Sequence, residues 1–206
     1  MAKKAMTLAY SVGDKLYINL TNKCPCACTF CIRNNGDGAY GSDPLWLEHE
    51  PSLDEMTAAI EKADPSLYTE IVFCGYGEPT EALELLCGAA DFVKERYPLI
   101  PTRLNTNGLS DLINGKPTAH LLEGRIDTVS VSLNAPEKDE YLKITRPKFG
   151  EKSFDEMLRF ACECKKYAKK VMFTIVDILP KEQIEASKAL ADELGISLRI
   201  REYIEE

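Results

Sequence analysis

The chain has 206 residues, 45% of them apolar, and a formal net charge of −8. That is enough apolar mass for one large domain or two small ones to bury a core without staples, and the negative balance argues against a broad nucleic-acid-binding face. No apolar run approaches the roughly 20 residues that span a bilayer, and the basic start Met1–Met6 lacks the apolar core, about 7 residues or more, of an export signal, so a cytoplasmic protein with no membrane partner is expected.

In chain order, Leu8–Val12 and Lys15–Leu20 are apolar-rich runs joined by Gly13-Asp14, a two-residue hairpin signal. The first core strand is expected over Leu16–Asn22. Ser52 and Glu55 have the spacing of a capping box, opening a helix with Leu53, Met56, Ile60 and Ala63 on one face. A short strand follows at Glu70–Cys74, then a helix carrying Leu83, Leu86, Cys87, Ala90 and Val93, and a strand at Thr102–Asn105. Ala119–Leu122 is at most a short helix. Thr128–Leu133, β-branched and uncharged, is a strand of the buried type. Ser153 and Glu156 predict a second capping box, ahead of Phe154, Met157, Leu158 and Ala161 at helical spacing. Val171–Ile178 is a strand, Pro180–Leu194 a helix with Gly195 just past its end, and Ser197–Ile204 a final strand.

Six strands alternating with helices predict an α/β fold with a parallel sheet. A closed eight-stranded barrel typically needs about 250 residues. An open partial barrel of six βα units is therefore expected, with ligands gathering at the carboxyl ends of its strands.

Eight cysteines in a chain that is not exported read as ligands or buried hydrophobes rather than disulfides. Four of them cluster in Cys24-Pro-Cys26-Ala-Cys28-Thr-Phe30-Cys31. Three thiolates can hold three irons of a [4Fe–4S] cube and leave the fourth open, and Cys-x3-Cys-x2-Cys leaves short arcs suited to wrapping it. Cys26 could replace Cys24 or Cys28 in other ligand sets. It also reads as a free loop thiol. A zinc site on Cys24, Cys26, Cys28 and Cys31 is the alternative chemistry, and such a protein would be an interaction module. A simple iron–sulfur electron carrier is a third reading. Cys87, Cys162 and Cys164 lie on or near apolar helix faces, where cysteine behaves as a small hydrophobe. His49 and His120 lack ligand spacing and read as surface residues.

Cys24, Cys28, Phe30 and Cys31 after a predicted first strand resemble the hallmark of the radical S-adenosylmethionine (SAM) superfamily, Cys-x3-Cys-x-aromatic-Cys. The resemblance implies that Cys24, Cys28 and Cys31 bind a [4Fe–4S] cluster and that SAM chelates its open iron. Gly75-Tyr76-Gly77-Glu78 at the end of the second strand resembles the superfamily's Gly-Gly-Glu turn, whose backbone and acid bind the methionine amino group; Tyr76 stands where the first glycine usually is. Glu78 also reads as an ordinary acid near a helix N-terminus. The resemblance further implies SAM contacts from Thr106 and Asn107, and from Ser132 and Asn134. It implies a carboxylate partner in Arg146. The plain readings are an Asx-type turn at Asn107-Gly108, an exposed arginine at 146, and core packing for Val176.

The run from Cys31 to Gly41, with Asp43-Pro44-Leu45-Trp46, resembles a small radical SAM group named for its association with TatD-family hydrolases. The implied activity is reductive cleavage of SAM to methionine and a 5′-deoxyadenosyl radical, which abstracts hydrogen from a substrate not named by the sequence. That substrate is a small molecule or a protein loop, and the electron comes from a donor such as flavodoxin or ferredoxin. Residues 1–206 are read as one core domain, with 1–15 a hairpin extension and 32–52 a loop on the cluster side. Carrying Tyr40 and Trp46, that loop is expected to cover the substrate.

Overall fold

The computed structural model describes residues 2–202. Seven strands form one sheet in chain order: β1 (Ala9–Val12), β2 (Lys15–Ile18), β3 (Glu70–Phe73), β4 (Thr102–Thr106), β5 (Thr128–Ser132), β6 (Lys170–Val176) and β7 (Ser197–Arg201). Six of them, β2 to β7, run parallel, and β1 joins antiparallel through the hairpin at Gly13-Asp14, where Gly13 adopts φ 59°. β1 and β7 do not pair, so the barrel is open. The described part of the last strand stops at Arg201; its expected continuation through 203 and 204 lies outside the described residues.

The strands are short and their two faces differ in chemistry. Leu16, Ile18, Ile71, Phe73, Leu104, Val129, Val131, Phe173 and Ile175 are fully buried on one face. They share a core with helices α1 (Leu53–Ala63), α2 (Leu83–Arg96), α5 (Lys152–Cys164) and α6 (Lys181–Glu193). The alternate positions, among them Tyr17, Arg103, Asn105, Ser130, Ser132 and Thr174, point the other way into a cavity. Burial on one face fixes register, because a one-residue slip would turn the polar set into the core.

The capping box at Ser52 forms as expected: Ser52 Oγ accepts from Glu55 N, and Glu55 Oε2 accepts from Ser52 N at 2.9 Å. The one expected at Ser153 does not. α5 begins at Lys152, after Gly150 takes φ 62° and accepts the Ser153 N–H on its carbonyl. Ser153 is therefore inside the helix, with its hydroxyl buried and unpartnered, and Glu156 pairs with Arg159 instead. Two short helices that periodicity did not reveal are α3 (Ser110–Asn114) and α4 (Lys138–Thr145). Among the described residues, no helix is long and apolar enough to cross a membrane.

The hydrogen bonds of the Ser52 cap, with help from His49, hold the exposed Glu55 carboxyl down to about 2 from its ordinary 4.5. A depressed carboxyl stabilises the fold above its unfolded value and loses that contribution as pH falls through its folded one. An NMR titration should place the Glu55 midpoint near 2, and Ser52→Ala should move it toward 4.5.

Candidate active site

β2 leads through Asn19, Leu20 and Thr21 into the cysteine loop. That loop is laced to the C-terminal end of α4. Ala27 N donates to Thr145 O and Thr29 N to Ile144 O, both at 3.0 Å, and Lys148 N donates to Pro25 O at 2.8 Å. Arg146 follows α4 in the left-handed conformation, φ 46°, as its C-cap. On the other side, the turn after β3 lies against the chain entering the loop. Glu78 N donates to Lys23 O at 2.8 Å. A Cβ at Gly77 would sit 2.2 Å from Thr21 O, and one at Gly75 would sit 2.0 Å from Asn19 Oδ1. Glycine is required at both positions by close approach, not by a positive φ.

Glu78 joins this turn to the end of β4. Its Oε1 accepts from Thr80 N (3.1 Å), Thr80 Oγ1 (2.8 Å) and Thr106 Oγ1 (2.7 Å), and its Oε2 accepts from Asn107 N (2.7 Å). Burial pushes the carboxyl up from its ordinary value, and these hydrogen bonds pull against that shift. Both oxygens are engaged, three donors on Oε1 and one on Oε2, so Glu78 is held as a brace between the turn after β3 and the end of β4. Asn107 Oδ1 accepts from Leu109 N at 2.9 Å and Gly108 takes φ 77°, the Asx-type turn that the dipeptide predicts.

Tyr76 is buried, with its ring edge-on to Trp46 at 5.2 Å, and its hydroxyl is shared between Gly36 O (2.9 Å) and Gly38 O (2.7 Å). The bulk that departs from the Gly-Gly-Glu pattern thus packs against the segment after the cysteines and fastens it. Asn22 fastens it further along, donating to Leu47 O and accepting from Leu47 N, while Asn19 donates to Leu45 O at 2.8 Å. Leu45 and Leu47 are fully buried. The segment expected as a cover reaches the cavity through Ala39 and Leu45, both buried, and the exposed Tyr40.

These elements enclose one cavity of about 720 Å³. Cys24, Cys28 and Cys31 line it, together with Gly75, Tyr76, Gly77, Glu78, Thr106, Asn107, Ser132 and Asn134. Arg146 alone of the anticipated residues is elsewhere: it borders a second hollow outside the loop, beside Cys28, Cys31, Arg33 and Trp46. The Asn134 Oδ1 atom is buried without a hydrogen-bond partner, as a wall group awaiting a ligand would be.

Cys26 neighbours Cys24 and Cys28; its proximity lowers both of their thiols, and the same contacts together with burial push its own up. Arg33 Nε is 3.2 Å from Cys31 Sγ, and its guanidinium lies over Trp46. Low-lying thiols beside a cation suit metal binding, which requires thiolate. Among the described residues, no three His, Cys, Asp or Glu side chains are arranged to hold a single ion. Tetrahedral zinc needs four donors around one point. A cube takes one thiolate per iron, so its ligands need not converge on one point.

The sequence model of the Radical SAM superfamily matches residues 18–194. The chain belongs to the radical SAM superfamily. Radical SAM enzymes use a [4Fe–4S] cluster and SAM, and the donor set just described fits both. The chain is 28% identical over 141 residues to the GTP 3′,8-cyclases of Corynebacterium glutamicum (strain ATCC 13032) and Rhodococcus opacus (strain B4). Those matches cover 66% of this chain but 34% and 36% of the cyclases, so the chain matches about a third of their length. Its fold is similar to a radical SAM methyltransferase from Sphaerobacter thermophilus (TM-score 0.64, 18% identity, 94% of this chain and 68% of that one). It is also similar to anSMEcpe with bound AdoMet (TM-score 0.63, 18% identity, 91% and 50%).

The polar inner face of the sheet was missed from sequence, although the alternation in Thr128-Val-Ser-Val-Ser132 and Ser197-Leu-Arg-Ile-Arg201 carries it. Gly77→Ala must displace the backbone at Thr21–Lys23. In urea unfolding it should cost about 1–3 kcal/mol, whereas Gly36→Ala, whose Cβ would meet only Gly38 O at an ordinary 3.9 Å, should stay within about 0.5 kcal/mol.

Proposed function

We propose that this radical SAM enzyme holds its cluster on Cys24, Cys28 and Cys31 and cleaves SAM reductively to initiate hydrogen abstraction from a substrate in the cavity. The observation that carries the reading is the shared wall. The three thiols face the same space as the Gly75–Glu78 turn, the Thr106–Asn107 turn and the Ser132–Asn134 strand end. When bound, the cluster and SAM supply a one-electron cleavage that yields methionine and a 5′-deoxyadenosyl radical.

The chain's own residues do the positioning. The loop amides and the Pro25 carbonyl tied to the end of α4 hold the segment that carries the three thiols. Gly75 and Gly77 let the turn after β3 close on Asn19 and Thr21, which fixes where its backbone stands on the wall that SAM would meet. Glu78, with both oxygens engaged, sets the spacing between that backbone and the Thr106–Asn107 turn. Asn134, with a free buried carbonyl oxygen and φ 62°, is placed to accept from the ribose side of the ligand. Ala39 and Leu45, both buried, wall this side of the cavity, and such cover matters because solvent and stray small molecules quench radicals. The electron is expected from a low-potential donor such as flavodoxin or ferredoxin.

Cys164 is fully buried in the helix core, far in sequence from the loop, and serves as a control. Anaerobically reconstituted wild type, given dithionite and SAM, should release 5′-deoxyadenosine. Cys28→Ala should fall to the buffer blank and Cys164→Ala should retain release. Release by Cys28→Ala equal to wild type, or none by wild type, would overturn the assignment and leave the electron-carrier or zinc-module readings.

A further inference from the structure

The cavity extends from its mouth along the inner face of the sheet, where Tyr17, Cys74, Arg103, Asn105 and Arg201 line it. Arg103 is 5% exposed. Its guanidinium lies 3.1 Å from Glu70 Oε2, and the same oxygen accepts from Lys15 Nζ at 2.9 Å, so two cations share one carboxylate. The Nε atoms of Arg103 and Arg201 are both buried, and neither has a hydrogen-bond partner among the described residues. A guanidinium stays charged under all ordinary conditions and cannot relieve an unmet donor by losing its proton. The two arginines also act on a common centre: each favours the ionised forms of both the Tyr17 phenol and the Cys74 thiol, against the effect of burial. Of the carboxylates that line this wall among the described residues, Glu78 is engaged through both oxygens by Thr80, Thr106 and Asn107, and Glu202 is an exposed residue.

We propose that Arg103 and Arg201 form a subsite for an anionic group, a phosphate or a carboxylate, on a small-molecule substrate. The inference rests on the SAM-cleaving reading above. In that reading the one anionic group of SAM, its carboxylate, is committed with the amino group to the open iron at the mouth, and the adenosine moiety brings no negative charge. The surplus positive charge on the sheet face is then left for the substrate. Planar guanidinium forks match the oxygens of a phosphate or carboxylate two at a time, and the Tyr17 hydroxyl adds a neutral donor.

The test is isothermal titration of the reconstituted, SAM-loaded protein with inorganic pyrophosphate and, separately, with malonate. One of the two should bind, and which one does separates a phosphate-bearing substrate from a carboxylate-bearing one. Arg201→Gln should weaken that binding at least tenfold. Lys188→Gln, an equal loss of charge on the exposed side of α6, should bind as wild type does. Arg103→Gln is a harsher change because it also removes one of the two cations that hold Glu70, so Arg201 on the edge strand carries the test. The proposal is overturned if neither probe binds, if Arg201→Gln binds as wild type, or if SAM displaces the probe competitively, since the arginines would then serve the cofactor. The same titration on SAM-free protein reads the arginine site even where SAM cleavage fails, so the failure of one reading is distinguishable from failure of the other.

Discussion

The mouth of the cavity depends on one backbone contact, that between the turn after β3 and the chain entering the cysteine loop. There is no room at position 77 for even a methyl group beside Thr21 O, and Glu78 N donates to Lys23 O across the same gap. The contact sets how far the three thiols stand from the strand ends. Glu78 then transmits the spacing to the end of β4 through two hydrogen bonds, from Thr106 and Asn107, while two more from Thr80 fix its own turn. Buried carboxylates are costly unless so satisfied, and a brace of this kind is rigid because loss of any donor leaves an unmet charge. The α4 carbonyls at Ile144 and Thr145 hold the loop from the opposite side. The loop is thus clamped between two elements whose own positions come from the sheet.

Polar residues on the inner face of the sheet and apolar residues on the outer divide the labour of the fold. The outer face, with Phe73, Val131 and Phe173 fully buried against the helices, provides cohesion. The inner face gives up that burial to carry Tyr17, Arg103, Asn105 and Ser130 into the cavity. Groups such as the Arg103 Nε and Asn105 Oδ1, buried and unpartnered, weaken the fold as it stands. Such departures from the rules of packing concentrate where a protein binds ligands.

Much of this was legible in the chain. Alternating strands and helices, the Gly13-Asp14 turn, the Ser52 cap and the spacing of Cys24, Cys28 and Cys31 each follow from local chemistry, and the structure joins these cysteines to the Gly75–Glu78 turn in one cavity. What was not legible depends on tertiary contacts. Ser153 has the spacing of a cap, but Gly150 starts the helix earlier and draws it inside. α4 shows little apolar periodicity because much of its role is to lend carbonyls to the cysteine loop. Tyr76 breaks the glycine pattern in sequence, yet its ring leaves the turn and its hydroxyl fixes the segment around Gly36 and Gly38. Arg146 is close in sequence to this machinery, but its left-handed backbone at the end of α4 leaves it on the outer hollow.

The central claim is that three cysteine thiolates leave one iron of a cube open to SAM. It is tested most directly by Mössbauer spectroscopy of protein reconstituted with 57Fe, recorded with and without SAM. The account predicts a four-iron cluster in which one iron changes its isomer shift and quadrupole splitting when SAM is added, while the other three stay as they were. A cluster whose four irons are all indifferent to SAM, or a protein that takes up no cluster, would contradict it.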